Sequence, residues 1–206
     1  MNEILERFVK DTPVFETDRL IFRPIRPGDA EDMYGYACDG EVTKYLLWSE
    51  HPDIGFTRRY IKRIGELYRQ GEYYDWAAVR KSDRKMIGTA GFAQLDMKNS
   101  AGEIGYVLAR PCWHQGYGTE MAKELIGFGF SYFGFNRIQA RYMKENVYSR
   151  SVMDKCGMRF EGILREALFV KGEYRDIGVC SILRSEYLKD HELKVYQAGR
   201  RPFHIF

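Results

Sequence analysis

The order of hydrophobic periods along this chain of 206 residues predicts one α/β domain, a mixed sheet with helices on both faces. Three observations carry the prediction. Period-2 and period-3.6 segments follow one another as β-α-α-β-β-β-α-β-α-β-β, which is not a strict β-α alternation. The composition is 45% hydrophobic and 30% charged, as in a folded chain able to bury a sizeable core. No repeat or low-complexity tract divides the chain.

Residues 1–15 are an amphipathic lead-in, with Ile4, Leu5, Phe8 and Val9 at helical spacing. RLIFRPI, residues 19–25, alternates Leu20 with Phe22 and stops at Pro24, an edge-strand pattern. Gly28 and Asp29 offer a cap to the helix of GDAEDMYGYA. VTKYLLW and HPDIGF are loop-like. Residues 56–71 form a helix with Phe56, Tyr60, Ile64 and Leu67 on one face and Gly71 as its stop. YYDWAAVR, KMIGTAGFAQLD and GEIGYVLA are three strands of an antiparallel meander. A Gly-rich turn leads into a helix over residues 117–133. RIQARYM is a strand, NVYSRSVMDKCG a helix that Asn146 caps and Gly157 ends, and residues 158–187 a closing hairpin. The organisation is an extension over 1–15, a domain over 16–188 and a tail over 189–206.

A net charge of +3 without a basic stripe gives no support to nucleic-acid binding. The first residues lack the apolar core of a signal peptide, and no run of eighteen apolar residues exists, so the expected location is the cytoplasm, away from membranes. Cys38, Cys112, Cys156 and Cys180 form no C-x-x-C pair and read as reduced, buried thiols. His51, His114, His191 and His204 form no ligand-spaced pair, so no metal is expected.

RPCWHQGYGTEMAKELIGFGF, from Arg110, carries the chemistry. It sets Gly116 and Gly118 at the first turn of a helix. The first amides of a helix lack internal partners and sit at the positive end of its dipole, so phosphate binds there and glycine permits close approach. A structural turn is the other reading. The spacing fits neither a Walker A loop nor the dinucleotide G-x-G-x-x-G. Gly127 and Gly129 inside this helix each cost ~1 kcal/mol against alanine, which close packing on the sheet would explain.

Four stretches occur in an order that resembles one known family. They are ETDRLIFRPIRPGDAEDM, GEIGYVLARPCWHQGYGTEM, the Asn146-x-x-Ser149 motif followed by KCGMRFEG, and KGEYRDIGVCSIL. Together they resemble the GNAT acetyltransferases, within them the RimJ/RimL-like ribosomal-protein N-acetyltransferases, over nearly the whole chain. The resemblance implies a GNAT-like acyl-CoA N-acyltransferase fold: a mixed, mostly antiparallel sheet in which two parallel strands splay apart. It implies acetyl-CoA as co-substrate, its pantetheine lying along Tyr106, Val107, Leu108 and Ala109. The pyrophosphate would rest on the amides of Gln115, Gly116, Tyr117, Gly118 and Thr119. Asn146 would bond the pantetheine arm, and Ser149 would sit near the thioester sulfur. Trp113 stands where the wider superfamily has Gln or Arg. Met153 stands where many members have a tyrosine acid, which leaves Ser149 as the candidate proton donor.

The implied reaction is direct transfer of acetyl to an amine, which attacks only when neutral. An α-amine, with pKa about 7.7–8.0, is partly neutral at pH 7, whereas lysine at about 10.4 is not. A modest base working through water suffices for the former. Glu103 is the candidate base, with a solvated strand-edge carboxylate as the other reading. By resemblance Tyr45 and Trp48 flank the acceptor. Asp176 is a candidate to orient the amine, with a hairpin role as the alternative. Arg58, Arg59, Lys62 and Arg63 read as a solvated helix face. The expected partner is an acceptor amine, foremost a protein N-terminus of ribosomal type, and the expected assembly a monomer or homodimer. Small amines (polyamine, aminoglycoside or amino acid) and a non-catalytic acyl-CoA-binding module stay open as alternatives.

Overall fold

The computed structural model describes residues 3–194 and 196. In chain order it contains α1 (Glu3–Lys10), β1 (Phe15–Glu16), β2 (Leu20–Arg23), α2 (Ala30–Ala37), α3 (Gly40–Thr43) and α4 (Ile54–Gln70). Then come β3 (Asp75–Arg80), β4 (Met86–Asp96), β5 (Ala101–Leu108), α5 (Tyr117–Phe128), β6 (Arg137–Met143), α6 (Val147–Lys155), β7 (Arg159–Val170), β8 (Glu173–Leu183) and α7 (Arg184–Tyr187). The strands make one sheet in the order β1-β2-β3-β4-β5-β6-β8-β7. Neighbours run antiparallel except β5 and β6, which are parallel.

Alternation along β3 divides the core. Trp76 and Ala78 face a large cluster with Leu20, Phe22, Phe92, Ile104 and the inner residues of α5, while Ala77 and Val79 face a second cluster with Met33, Ile61 and Ile64 from α2 and α4. The first cluster is aromatic. Trp76 meets Phe8, Phe15 and Phe128 edge-on at 5.1–5.5 Å, and its Nε1 donates to the Pro13 carbonyl at 2.8 Å. The lead-in is thus part of the core: Phe8 is buried and Phe15 stacks between Phe22 and Phe128. At the other terminus Tyr196 donates to Glu124 Oε1 at 2.8 Å and Lys194 pairs with Glu124 Oε2 at 2.6 Å. GRRPFHIF, residues 199–206, lies outside the described residues.

Several local expectations are corrected. The first two residues of VTKYLLW close the short α3, and β1 is an added strand. α4 begins two residues early because Asp53 accepts from the Phe56 amide at 2.7 Å. Its inward face is Thr57, Ile61 and Ile64; Phe56 and Tyr60 are rotated to its flank, against the His51 ring. Asp29 does not cap α2 through its side chain, which is taken by Arg23. The α-helix expected over 117–133 ends at Phe128 and continues as a π-turn over Gly129–Phe133. A methyl group on Gly129 would lie 2.6 Å from Ile138 Cδ1, so the sheet packs on bare backbone there. Gly127 instead faces the hydroxyls of Tyr187 and Tyr196. Cys38 is exposed, unlike the other three thiols.

One ion pair ties β2 to the start of α2. Arg23 grips Asp29 through both nitrogens, at 2.7 and 2.6 Å, and Asp29 Oδ2 also accepts from the Arg26 amide at 2.9 Å. The two side chains are only 14% and 6% exposed. Removing one partner of a buried pair leaves an uncompensated charge. Asp29→Ala is therefore expected to cost about 3 kcal/mol, read as a lower urea midpoint at unchanged slope; a loss below about 1 kcal/mol would show the pair to be effectively solvated.

Candidate active site

The two parallel strands part company in mid-sheet. β5 and β6 pair from Ala101 with Arg137 to Ile104 with Ala140. Beyond that point β5 continues to Leu108 against β4, while β6 continues to Met143 against β8. The Ala109 amide donates to Ile87 on β4 at 2.8 Å. Polar groups of successive residues point to opposite edges of a strand, so the peptide groups of Tyr106 and Leu108 face the gap. Trp113 Nε1 takes the Leu108 carbonyl at 2.8 Å. This leaves the Tyr106 peptide and the Leu108 amide for a ligand lying along β5 as an extra strand.

The gap leads to the start of α5. Gly116 holds φ at 82°, the left-handed region, and no side chain caps the helix. The first backward bond runs from the Glu120 amide to the Gly116 carbonyl at 3.0 Å, so the amides of Tyr117, Gly118 and Thr119 lie ahead of the helical ladder. Arg19 fixes this loop from 96 residues away. Its guanidinium donates to the Gln115 carbonyl at 2.9 Å, pairs with Glu120 and lies 4.2 Å above the Tyr117 ring. A bare, cationic-edged helix N-terminus beside an open strand edge fits a diphosphate with an extended polar arm.

Across the gap, Asn146 caps α6 by accepting from the Ser149 amide at 3.1 Å. Ser149 Oγ is 3.3 Å from the Tyr106 hydroxyl, whose pKa burial raises well above the usual phenol value. A cavity of about 620 Å³ begins here and extends beneath α4.

A model of the GNAT acetyltransferase domain matches residues 19–159. The chain belongs to the GNAT acetyltransferase family. An uncharacterized N-acetyltransferase, p20, from Bacillus licheniformis is 34% identical over 83% of this chain and 96% of its own length. YdaF of Bacillus subtilis, a putative ribosomal N-acetyltransferase, is 27% identical over 82% of this chain and 94% of its own. It accords with the RimJ/RimL-like branch. A spermidine N(1)-acetyltransferase of Vibrio cholerae is 22% identical, over 84% and 98%. Among solved structures, a GNAT-family acetyltransferase from Bacillus anthracis superposes with a TM-score of 0.75 at 25% identity, over 84% of this chain and 99% of that one.

The acetyltransferase cavity brings together Tyr45, Trp48, Glu103, Tyr106, Val107, Asn146 and Ser149. Leu108, Ala109, Gln115, Gly116, Tyr117, Gly118 and Thr119 continue it as the loop and helix start outside the cavity lining. Asp176 does not line the cavity: its oxygens bond the Lys144 ammonium at 3.1 Å and the Glu166 amide at 3.0 Å, clasping the segment after β6 and β7 to β8. Glu103 is buried rather than solvated. It accepts from Gln139 Nε2 and Arg141 Nε, both at 2.8 Å. His51 bonds Thr57 at 2.9 Å, and burial lowers its pKa. The far rim is joined where Lys171, in the β7–β8 turn, donates to the Thr43 carbonyl at 2.8 Å. Tyr45 packs there with Met143, Val170 and Ile177.

Reasoning from sequence missed Arg19, Tyr106 as a hydroxyl neighbour of Ser149, and Asp75. Burial pushes the Asp75 carboxyl up to about 6, against a hydrogen bond from Tyr73 that lowers it. The one local signal was an acid opening an otherwise apolar strand, DWAAV.

Asn146→Ala is expected to cost about 1 kcal/mol in chemical unfolding through loss of the α6 cap, with Asn146→Asp retaining most of it. Equal losses in both variants would show that the cap is not what Asn146 contributes.

Proposed function

We propose that this N-acetyltransferase uses acetyl-CoA as its substrate and acetylates a protein N-terminal α-amine, of the ribosomal type borne by one relative's name. The coenzyme's diphosphate would rest on the amides at Gly116 to Thr119, with its arm along Tyr106 and Leu108 and under Asn146. Among the described residues no group of three or more His, Cys, Asp and Glu could hold a metal ion. No described helix is long and apolar enough to cross a membrane.

The character of the acceptor cavity carries the reading. Tyr45, Leu46, Leu47, Trp48, Tyr60 and Tyr142 supply apolar and aromatic walls. Of its three carboxylates, Glu103 is matched by Arg141 and Glu72 is exposed, which leaves Asp75 to face a single ammonium. A polyamine brings several positive charges and needs several unmatched carboxylates. A peptide N-terminus brings one ammonium and a side chain that rings and leucines can cover.

Each residue then has a task. Glu103 retains lone pairs beyond those used by Gln139 and Arg141, and would accept a hydrogen bond from the incoming nitrogen or a bridging water. The Tyr106 amide, facing the gap, would bond the oxyanion as carbonyl becomes tetrahedral carbon; such a donor contributes about 3–4 kcal/mol. Sulfur leaves as a thiolate. A thiol pKa near 8.5 means that a hydrogen bond from Ser149, itself held by Tyr106, suffices to ease departure.

Thiol release should be greatest with peptides bearing free α-amines and low with spermidine; the reverse ranking would move the assignment to polyamines. Gly118→Asp tests the coenzyme site. A Cβ there would meet only ordinary contact, 3.5 Å from Val152 Cγ2, and an acid suits a helix start. Calorimetry is expected to show at least tenfold weaker CoA binding with an undiminished thermal midpoint. Unchanged affinity would place the diphosphate elsewhere. Glu103→Gln and Ser149→Ala should each lower kcat/KM about tenfold or more, with CoA affinity kept.

A further inference from the structure

Asp75, Gly91 and Gly105 are register partners on three adjacent strands, β3, β4 and β5, and so share one sheet face. It is the face of Val107 and Ala77, under α2 and α4, and Glu103 also lies on it by alternation along β5. Two of the three positions lack side chains. A methyl on Gly91 would lie 2.0 Å from Asp75 Oδ1, so the carboxylate lies over the bare backbone of β4. A methyl on Gly105 would meet nothing within 4 Å. The carboxylate therefore sits about one strand spacing, ~4.8 Å, from an open floor at the mouth of the gap. Asp75 forms no ion pair among the described residues. Its surroundings are phenols: Tyr36 of α2, Tyr60 and Tyr68 of α4, and Tyr73 beside it.

We propose that Asp75 is the proton acceptor for the incoming amine, its carboxylate over Gly91 taking a proton from the acceptor's ammonium seated above Gly105. This rests on the acetyl transfer proposed above and names the group that starts it. The ammonium gives one proton to Asp75, which passes it to solvent. The freed nitrogen lone pair forms the C–N bond, the C–S bond breaks with sulfur leaving as the thiolate that Ser149 hydrogen-bonds, and the nitrogen's second proton is lost to solvent. Glu103, matched by Arg141, orients; Asp75, unmatched by any cation, accepts.

A carboxyl near 6 is ionised at pH 7 and lost as a base below that value. Tyr36, Tyr60, Tyr68 and Tyr73, with raised pKa values, stay neutral across this range, and His51, lowered by burial, lines a second cavity of about 80 Å³ with Tyr36, Tyr60, Tyr73 and Asp75. Glu72 and the Glu103–Arg141 pair line the larger one, and the Arg23–Asp29 pair lies beyond Tyr36 and Tyr68.

The test is the pH profile of thiol release with two acceptors, a peptide with a free α-amine and benzylamine, beside calorimetry with CoA. Asp75→Asn should lower kcat/KM about a hundredfold with both acceptors, abolish the limb near pH 6, and leave CoA affinity and the thermal midpoint undiminished. Tyr73→Phe removes a bond that favours the anion, so its acid limb should move to higher pH. An Asp75→Asn enzyme with near wild-type turnover, or a Tyr73→Phe limb that stays put, overturns the proposal. If benzylamine is acetylated through Asp75 while the peptide is not, only the N-terminal reading fails. Thiol release from neither acceptor, with CoA bound, overturns both.

Discussion

Everything at this site follows from an interruption of backbone pairing. Two parallel strands in the middle of a sheet would ordinarily satisfy each other along their length, and unmet peptide groups inside a protein are costly. Here β5 and β6 separate after Ile104 and Ala140, each retained by its other neighbour. The antiparallel ladders on either side tolerate the gap because each strand keeps one full edge. What remains is a strip of unspent donors and acceptors, which a ligand of peptide-like chemistry can complete.

The rest of the molecule supports that strip from two sides. On one face α5 brings its uncapped first turn to the end of β5, and Arg19 with Glu120 secures the connecting loop. On the other face the sheet is stripped to glycine at Gly91 and Gly105, with Glu103 and Asp75 at the margins of the clearing. The separation of cores mirrors this division of labour: the aromatic cluster around Trp76 and Phe128 stiffens the α5 side, and the smaller cluster around Met33 and Ile64 backs the acceptor side.

Much of this was legible in one dimension. The order of major elements followed from periodicity. The turn at Gly116 and Gly118 and the Asn146–Ser149 pair are signals contained within a few residues, and the fold keeps them intact. What escaped reading needs register. Asp75 gains its meaning from lying opposite Gly91, which lies opposite Gly105, and both ladders contain a bulge that no local pattern announces. The rotation of the α4 face by one residue comes from the Asp53 cap and the His51 contacts. Asp176, a candidate to orient the amine, instead has its oxygens taken by Lys144, just past β6, and by the Glu166 amide of β7. Arg19 acts through space on a loop nearly a hundred residues on.

The bond from Lys171 to the Thr43 carbonyl joins the sheet's outer hairpin to the segment that carries Tyr45 and Trp48. It makes one hoop of two rims that the chain builds more than a hundred residues apart. A single ammonium–carbonyl bond contributes about 1.5–3 kcal/mol, so thermal motion alone would unfasten that bond in roughly one molecule in ten to one in a hundred at any instant. Parting the two rims thus costs one bond and leaves the sheet beneath them unchanged.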